Sequence, residues 1–155
     1  MGLNTRHLHL WYQILDKRKI EDRLPDTVSG TGGGDRDLTY PVASGSLNIG
    51  DCSYLTSGQQ WGLSKRNDGT TMPSWGVVIT TATGTATVRL EGLVTLGDYA
   101  GSFTTGDLVY VNIDGRLTDN YPTEADQYLQ RMGFVYDGPG GKFEIDPDDT
   151  MVLLS

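Results

Sequence analysis

The residues whose types could take part in chemistry form few recognisable sets in this chain. His7 and His9 are its two histidines; on a strand they would share one face and offer two ligands to a metal ion. Neither lies near a serine or a carboxylate in a nucleophile-like context, and no pair of acidic residues is singled out for hydrolysis. We therefore predict a protein without catalytic residues, metal site or cofactor.

Two further segments have only part of the pattern of a ligand-binding loop. Asp146-Pro147-Asp148-Asp149 offers oxygen ligands for Ca²⁺, but it lacks the spaced acidic pattern and trailing glutamate of a known calcium loop. Gly30-Thr31-Gly32-Gly33-Gly34 is glycine-rich like a phosphate loop, but no Lys-Ser or Lys-Thr pair follows it. We interpret the first as a solvated acidic turn and the second as a linker.

The composition indicates an all-β protein. The 155 residues match the usual size of one domain, and the 21 glycines and many threonines favour short strands and turns over helices. Cys52 is the single cysteine, so an intrachain disulfide is excluded, and we expect its side chain to be buried. The predicted fold is a small β-barrel or β-sandwich with an extended N-terminal arm.

The charge is unevenly distributed along the chain. Residues 1–24 hold five basic and three acidic side chains, a net charge of +2, which leaves −10 for the remainder because the total is −8. An acidic body argues against nucleic-acid or anionic-membrane partners, and no apolar run is long enough to span a membrane. The basic segment is either ordinary solvated surface or an arm that docks on an acidic neighbouring subunit.

Residues 1–34 are predicted to be this arm with its linker, and residues 35–155 the β-sheet body. Apolar residues within 7–24 recur at spacings that fit either a helix or a strand, and residues 25–34 have the composition of a flexible linker. Apolar side chains on a glycine-rich tether suggest docking on a partner. The predicted partner-binding residues are Leu8, Leu10, Trp11, Tyr12, Ile14, Leu15, Lys17, Arg18 and Lys19.

The body has the pattern of short strands separated by turns. Residues 85–91 alternate apolar and polar, which predicts a strand with one wet face, whereas residues 75–80 and 132–136 read as buried strands. Residues 108–113 precede Asp114-Gly115, a pair expected to supply the positive φ angles of a tight hairpin. We also expect structural turns at Gly50-Asp51 and Gly106-Asp107, where glycine permits the turn and aspartate caps its backbone.

The body also contains a weak internal repeat with a spacing of about 56 residues. Its motifs come in the same order in both halves, which predicts two related three-stranded units packed together. Chance similarity within a chain rich in glycine, threonine and aspartate is the alternative explanation. The matched pairs are Gly50 with Gly106, Asp51 with Asp107, Gly76 with Gly133, and Gly84 with Gly140.

Four short motifs follow one another between residues 49 and 110. They are Ile49-Gly50-Asp51, Trp75-Gly76-Val77-Val78-Ile79, Ala86-Thr87-Val88-Arg89-Leu90-Glu91-Gly92 and Thr105-Gly106-Asp107-Leu108-Val109-Tyr110. In this order they resemble the capsid decoration, or cement, proteins of tailed bacteriophages. Residues 115–135 are also similar to a segment common in phage virion proteins. The long N-terminal region and Trp75 before Gly76 depart from the simplest members of that family.

The resemblance implies a β-barrel-like body that forms a homo-oligomer, with a trimer favoured, on the outer capsid surface of a virion. Its partner would be the major capsid protein, and the arm would lie across neighbouring capsid subunits and stabilise the shell. The alternative is a receptor- or glycan-binding module of a tail fibre or spike. The aromatic residues that could then form a sugar-binding platform are Tyr54, Trp61, Trp75 and Tyr110.

Overall fold

The computed structural model describes residues 35–155, which are almost entirely β-structure and confirm the predicted all-β class. The predicted arm, with its partner-binding residues and both histidines, lies outside the described residues. One short 3₁₀ helix, Gly97–Tyr99, lies between β5 and β6. The strands are β1 Arg36–Pro41, β2 Cys52–Leu55, β3 Trp61–Leu63, β4 Gly76–Ala82, β5 Thr85–Thr95, β6 Leu108–Val111, β7 Leu117–Thr118, β8 Tyr128–Leu129, β9 Arg131–Asp137, β10 Lys142–Ile145 and β11 Val152–Leu153.

Nine of these strands form one sheet that curls into a half-barrel. Its order is β3-β2-β4-β5-β10-β9-β6-β7, with β1 added on β5, while β8 and β11 form a separate pair. The strand pairs are antiparallel within the described part of the chain. The curled sheet confirms the predicted barrel-like body.

β5 is the longest strand and connects the two sides of the sheet. Its residues 85–91 pair with β1, its residues 85–89 also pair with β4, and its residues 92–95 pair with β10. The predicted alternation is confirmed, since Ala86, Val88 and Leu90 are buried and Glu91 is exposed. One continuous strand thus belongs to two successive groups of strands.

β1 is fixed on β5 by an arginine of the wet face. The Arg89 guanidinium donates to both carboxylate oxygens of Asp37, at 2.7 and 2.8 Å, and lies 3.1 Å from a carboxylate oxygen of Asp35. The hydrogen bonds that Arg89 donates to Asp37 raise the pKa of the arginine. This two-point contact holds the first described strand in register with β5.

Two apolar clusters fill the interior, and β5 contributes side chains to both. The first surrounds Trp61, whose side chain is completely buried, and the second surrounds Phe143. The first cluster consists of Leu38, Leu47, Leu55, Trp61, Trp75, Val78, Ala86, Val88 and Leu90. The second consists of Cys52, Met72, Val77, Val94, Leu96, Tyr99, Val109, Val111, Leu117, Met132, Val135, Phe143, Ile145 and Met151.

Two strands that read as buried are only partly so. In β9, Met132 and Val135 are buried but Phe134 and Tyr136 are exposed, so the strand alternates in spite of its apolar sequence. In β4, burial ends after Val78, and Thr80 is exposed. The prediction of buried strands was wrong at these outward positions, because the described residues cover only one face of each strand.

The hairpin between β6 and β7 is confirmed, but its turn differs from the predicted one. Only Gly115 has a positive φ, of 86°, and its N–H donates to the Asn112 carbonyl at 3.2 Å. Asp114 instead accepts a hydrogen bond from the Arg116 N–H through Oδ1, at 3.0 Å. The turn therefore needs one left-handed residue, and the aspartate contributes through its side chain.

Candidate assembly surfaces

The described chain repeats one unit of five strands. The first unit consists of β1, β2, β3, β4 and residues 85–91 of β5, and the second consists of residues 92–95 of β5 with β6, β7, β9 and β10. Strands β2, β4 and β5 of the first unit occupy the same order in the sheet as β6, β9 and β10 of the second. The predicted pair of three-stranded units is thus a pair of five-stranded units that share β5.

The Gly-Asp turns make the same backbone contacts in both units. The Gly50 N–H donates to the Val78 carbonyl at 2.8 Å, and the Gly106 N–H donates to the Val135 carbonyl at 2.8 Å. The two glycines have positive φ angles of 92° and 96°. Each turn therefore needs a glycine and fastens the start of one strand to its neighbour.

The aspartates of these turns cap them in the predicted way. Asp51 Oδ2 accepts the Asn48 N–H at 2.8 Å, and Asp107 Oδ2 accepts the Thr104 N–H at 3.2 Å. Such a bond closes the turn through the side chain. Two of the four motifs that resemble capsid decoration proteins thus contain residues that the fold requires, namely Gly50-Asp51 and Gly106-Asp107.

The glycines matched in β4 and β9 also have one shared role. A Cβ atom at Gly76 would overlap the Arg89 carbonyl, and one at Gly133 would overlap the Glu144 carbonyl. In each unit the neighbouring strand passes too close for any side chain. Glycine is required in both places for the same reason.

The match of Gly84 with Gly140 is wrong by one residue. Gly84 corresponds to Gly141, not to Gly140: both have positive φ, of 73° and 63°. Their carbonyls accept equivalent bonds, from the Val42 N–H at 2.9 Å and from the Leu96 N–H at 2.8 Å. The shifted match pairs buried residues with buried residues, namely Ala86 with Phe143 and Val88 with Ile145.

The two units meet where the β6–β7 hairpin covers the first Gly-Asp turn. The Cys52 N–H donates to the Gly115 carbonyl at 2.7 Å, and Asp51 and Arg116 form an antiparallel bridge. Gly50, Asp51 and Cys52 are buried there. A hairpin of the second unit thus covers the start of β2 in the first unit.

The Tyr99 hydroxyl joins both units at this junction. It donates to the Gly50 carbonyl at 3.1 Å and accepts from the Leu117 N–H at 3.1 Å and from Arg116 Nε at 3.0 Å. The Arg116 guanidinium also lies 4.7 Å from the centre of the Tyr99 ring, a cation–π contact. Nothing in the sequence pattern pointed to this residue.

Burial alters the acidity of the groups around the junction. It raises the pKa of the Asp51 carboxyl, an effect opposed by the hydrogen bond from Asn48 and by the charge of Arg116. Burial likewise raises the pKa of the Cys52 thiol and of the Tyr99 phenol. The Cys52 thiol therefore stays protonated and unreactive at neutral pH, as expected of a structural cysteine.

Replacing Tyr99 by phenylalanine is expected to lower the free energy of unfolding by about 1.5–3 kcal/mol, because the buried Leu117 N–H loses its acceptor. Urea unfolding followed by circular dichroism measures the change. Tyr136→Phe, which removes a hydroxyl from an exposed ring, is the matched control and should alter stability by less than about 0.5 kcal/mol. Equal effects of the two substitutions would contradict this account of the junction.

The second unit leaves the corresponding surface open. Gly106 and Leu108 are exposed, and Leu108 keeps 45% of its accessible area. Leu108 lies opposite Phe134, and Phe134 and Leu93 both lie opposite Glu144 in the neighbouring strand β10. Leu93, Leu108 and Phe134 are the exposed apolar side chains of this row on the outer face of the second unit, here called the apolar strip; Glu144 interrupts it between Phe134 and Leu93, and Tyr136 lies beside it.

A cavity of about 340 Å³ lies near the C-terminal end of β10. The Asp148 carboxylate at its wall pairs with Arg131 at 2.6 Å. Within residues 35–155, no group of three or more histidine, cysteine or acidic side chains is placed to hold a metal ion. The lining residues are Arg36, Trp75, Leu90, Glu91, Asp146, Pro147, Asp148 and Asp149.

The aromatic residues considered for a sugar-binding platform do not form one. Trp61 and Trp75 are buried in the first apolar cluster, and Tyr54 and Tyr110 are half-buried. Trp61 contacts the ring of Tyr40 edge-on, at 6.0 Å between centres. Both tryptophans therefore serve core packing: Trp61 is completely buried, and Trp75, which also lines the cavity, keeps 4% of its accessible area.

Comparison with models of protein families, with curated proteins and with solved structures gives no match for this chain. No helix within residues 35–155 is long and apolar enough to cross a membrane.

Proposed function

We propose that this protein is a structural subunit of a tailed-bacteriophage virion, a capsid decoration or cement subunit without enzymatic activity. It would bind the outer capsid surface as a homo-oligomer, with a trimer favoured, and bridge neighbouring major capsid proteins. This role follows from the resemblance of the four motifs between residues 49 and 110. Support comes from Gly50, Gly76 and Gly106, because these motif residues occupy positions that the fold requires.

The observation that carries an assembly role is the apolar strip of Leu93, Leu108 and Phe134. These side chains keep 39%, 45% and 38% of their area exposed and lie in one cross-strand row. Leu108 and Phe134 are direct neighbours in this row, and adjacent exposed apolar side chains on an outward sheet face are typical of a surface that a partner protein covers. The acidic body and the basic segment at residues 1–24 add charge complementarity between neighbouring subunits.

The test is imaging of particles of the encoding virus with and without the protein. Addition of purified protein to particles that lack it should give regular protrusions on the shell and restore resistance to heat and low ionic strength. Particles mixed with buffer alone are the control. Absence of shell binding would overturn the proposal, and density at the tail together with specific binding on a glycan array would favour the receptor-binding alternative.

A further inference from the structure

The duplicated fold contains two sockets and two hairpin tips. The first socket is Gly50-Asp51-Cys52 and the second socket is Gly106-Asp107-Leu108. The first hairpin tip, residues 56–60, connects β2 to β3, and the second hairpin tip, residues 112–116, connects β6 to β7. Each unit therefore has one socket and one tip at equivalent places.

The two tips have the same backbone structure. The Thr56 N–H donates to the Gln60 carbonyl at 2.9 Å, as the Asn112 N–H does to the Arg116 carbonyl at 2.8 Å. The left-handed residue is Gln59 in the first tip, with a φ of 57°, and glycine in the second. A positive φ is uncommon at a glutamine. The first tip therefore keeps the turn geometry of the second tip although it has no glycine at this position.

Within residues 35–155, only one of the two possible contacts between a socket and a tip is made. The second tip fills the first socket through the Cys52–Gly115 hydrogen bond and the Asp51–Arg116 bridge. The second socket and the first tip stay open: Gly106 and Leu108 are exposed, and so are residues 57–59. The described chain therefore has one socket, the second, and one tip, the first, that remain unoccupied.

We propose that the first tip of one copy of this protein docks in the second socket of another copy, head to tail. The Leu108 N–H corresponds to the Cys52 N–H that donates to the Gly115 carbonyl, so its acceptor in the second copy is the Gln59 carbonyl. Docking also covers Leu108, whose counterpart Cys52 is completely buried. The fold already shows a hairpin tip that covers the first socket. The equivalent tip of a second copy would cover the apolar second socket in the same way.

The contact between copies is weaker than the one within the chain. Gln60 takes the place of Arg116, so Asp107 meets an uncharged side chain where Asp51 meets a cation. The first unit also lacks a tyrosine equivalent to Tyr99, since two fewer residues separate Val42 from Gly45 than separate Leu96 from Gly101. Self-association is therefore concentration-dependent, and a repeated head-to-tail contact closes a ring or extends as a chain.

This inference deepens the proposed function by naming the surface of its oligomer. Its basis is the duplicated fold, so its test needs no virus particle. Failure of the test with normal binding to particles would overturn the contact and leave the cement role standing. A positive test without particle binding would do the reverse.

The test uses two single-cysteine additions, Asp107→Cys and Gln60→Cys. Their counterparts Asp51 and Arg116 face each other in an antiparallel bridge, where Cα atoms lie about 4.5–5.5 Å apart, within the range of a disulfide. The native Cys52 is buried and does not compete. Mixing the two reduced variants and then oxidising the mixture with air or oxidised glutathione should give a covalent species of twice the chain mass on a non-reducing gel, and neither variant alone should give it.

Val152→Cys mixed with Gln60→Cys is the matched control, because Val152 is exposed but lies outside the second socket and the apolar strip. Sedimentation velocity of Leu108→Glu, compared with Val152→Glu, gives a measurement without cross-links: only the first should shift the protein towards the monomer. Mixed dimers no more abundant than in the control would overturn the inference. So would dimers of Asp107→Cys alone, which require a symmetric contact.

Discussion

Replacing Gly133 by alanine is expected to lower the free energy of unfolding by about 4 kcal/mol, a large share of the roughly 5–15 kcal/mol that an ordinary protein has. Its φ of 148° is unfavourable for any side chain, and the new Cβ atom would overlap the Glu144 carbonyl. Met132 and Ile145 beside it are completely buried, so the two strands cannot separate without opening the second apolar cluster. Urea unfolding followed by tryptophan fluorescence measures the loss.

Two other glycines separate the causes of this effect. Gly97→Ala is the control, because no described atom lies within 4 Å of the added methyl group and φ is ordinary there. It should change stability by less than about 0.5 kcal/mol. Gly76→Ala adds the overlap with Arg89 without a positive φ and should fall between the two. A Gly133→Ala protein as stable as Gly97→Ala would contradict the close approach of β9 and β10.

Deleting residues 1–34 is expected to abolish binding to the capsid while residues 35–155 stay folded. In the proposed function this segment supplies apolar anchors and a net positive charge to contacts with neighbouring capsid subunits. A tethered second contact multiplies the affinity of the first by roughly 10²–10⁴, so its loss should bring binding below detection. Co-sedimentation with particles measures binding, and near-ultraviolet circular dichroism tests the fold of the truncated protein.

Full-length variants distinguish the two contributions of the arm. Replacing Lys17, Arg18 and Lys19 by glutamate should weaken binding most at low salt, because charge attraction is screened as salt rises. Replacing Leu8, Trp11 and Leu15 by serine should weaken binding at every salt concentration. Normal capsid binding by the protein that lacks residues 1–34 would contradict the role of the arm.

Local chemistry made much of the fold predictable. The Gly50-Asp51 and Gly106-Asp107 turns could be found because a positive φ and a side-chain cap depend on adjacent residues. Residues 85–91 were predictable because one face is wet and the other is buried, which gives a period of two. These two signals led to the correct class and to the existence of the duplication.

Long-range pairing explains what the sequence pattern missed. The choice between Gly140 and Gly141 as the counterpart of Gly84 depends on which residues of β10 face inward, and two adjacent glycines carry no such signal. Phe134 and Tyr136 were wrongly predicted as buried because an apolar strand does not reveal that one of its faces lacks cover.

The junction between the units was missed for a different reason. Tyr99 lies in a two-residue insertion with no counterpart in the first unit, so comparing the halves could not reveal it. Arg116 gave no signal either, since its partners Asp51 and Tyr99 lie 65 and 17 residues away in the chain. The second socket can be recognised only from the structure, in which a hairpin tip fills the first socket.

The sharing of β5 restricts how a chain of this kind can change in length. The last strand of the first unit continues directly as the first strand of the second unit. Two units that arise by tandem duplication are thus joined without a connecting peptide. A break between residues 91 and 92 would cut the strand that joins the two units, whereas a whole further unit placed after Ile145 would find β10 ready to be extended. Growth by complete modules, and not by fractions of one, is what this architecture accommodates.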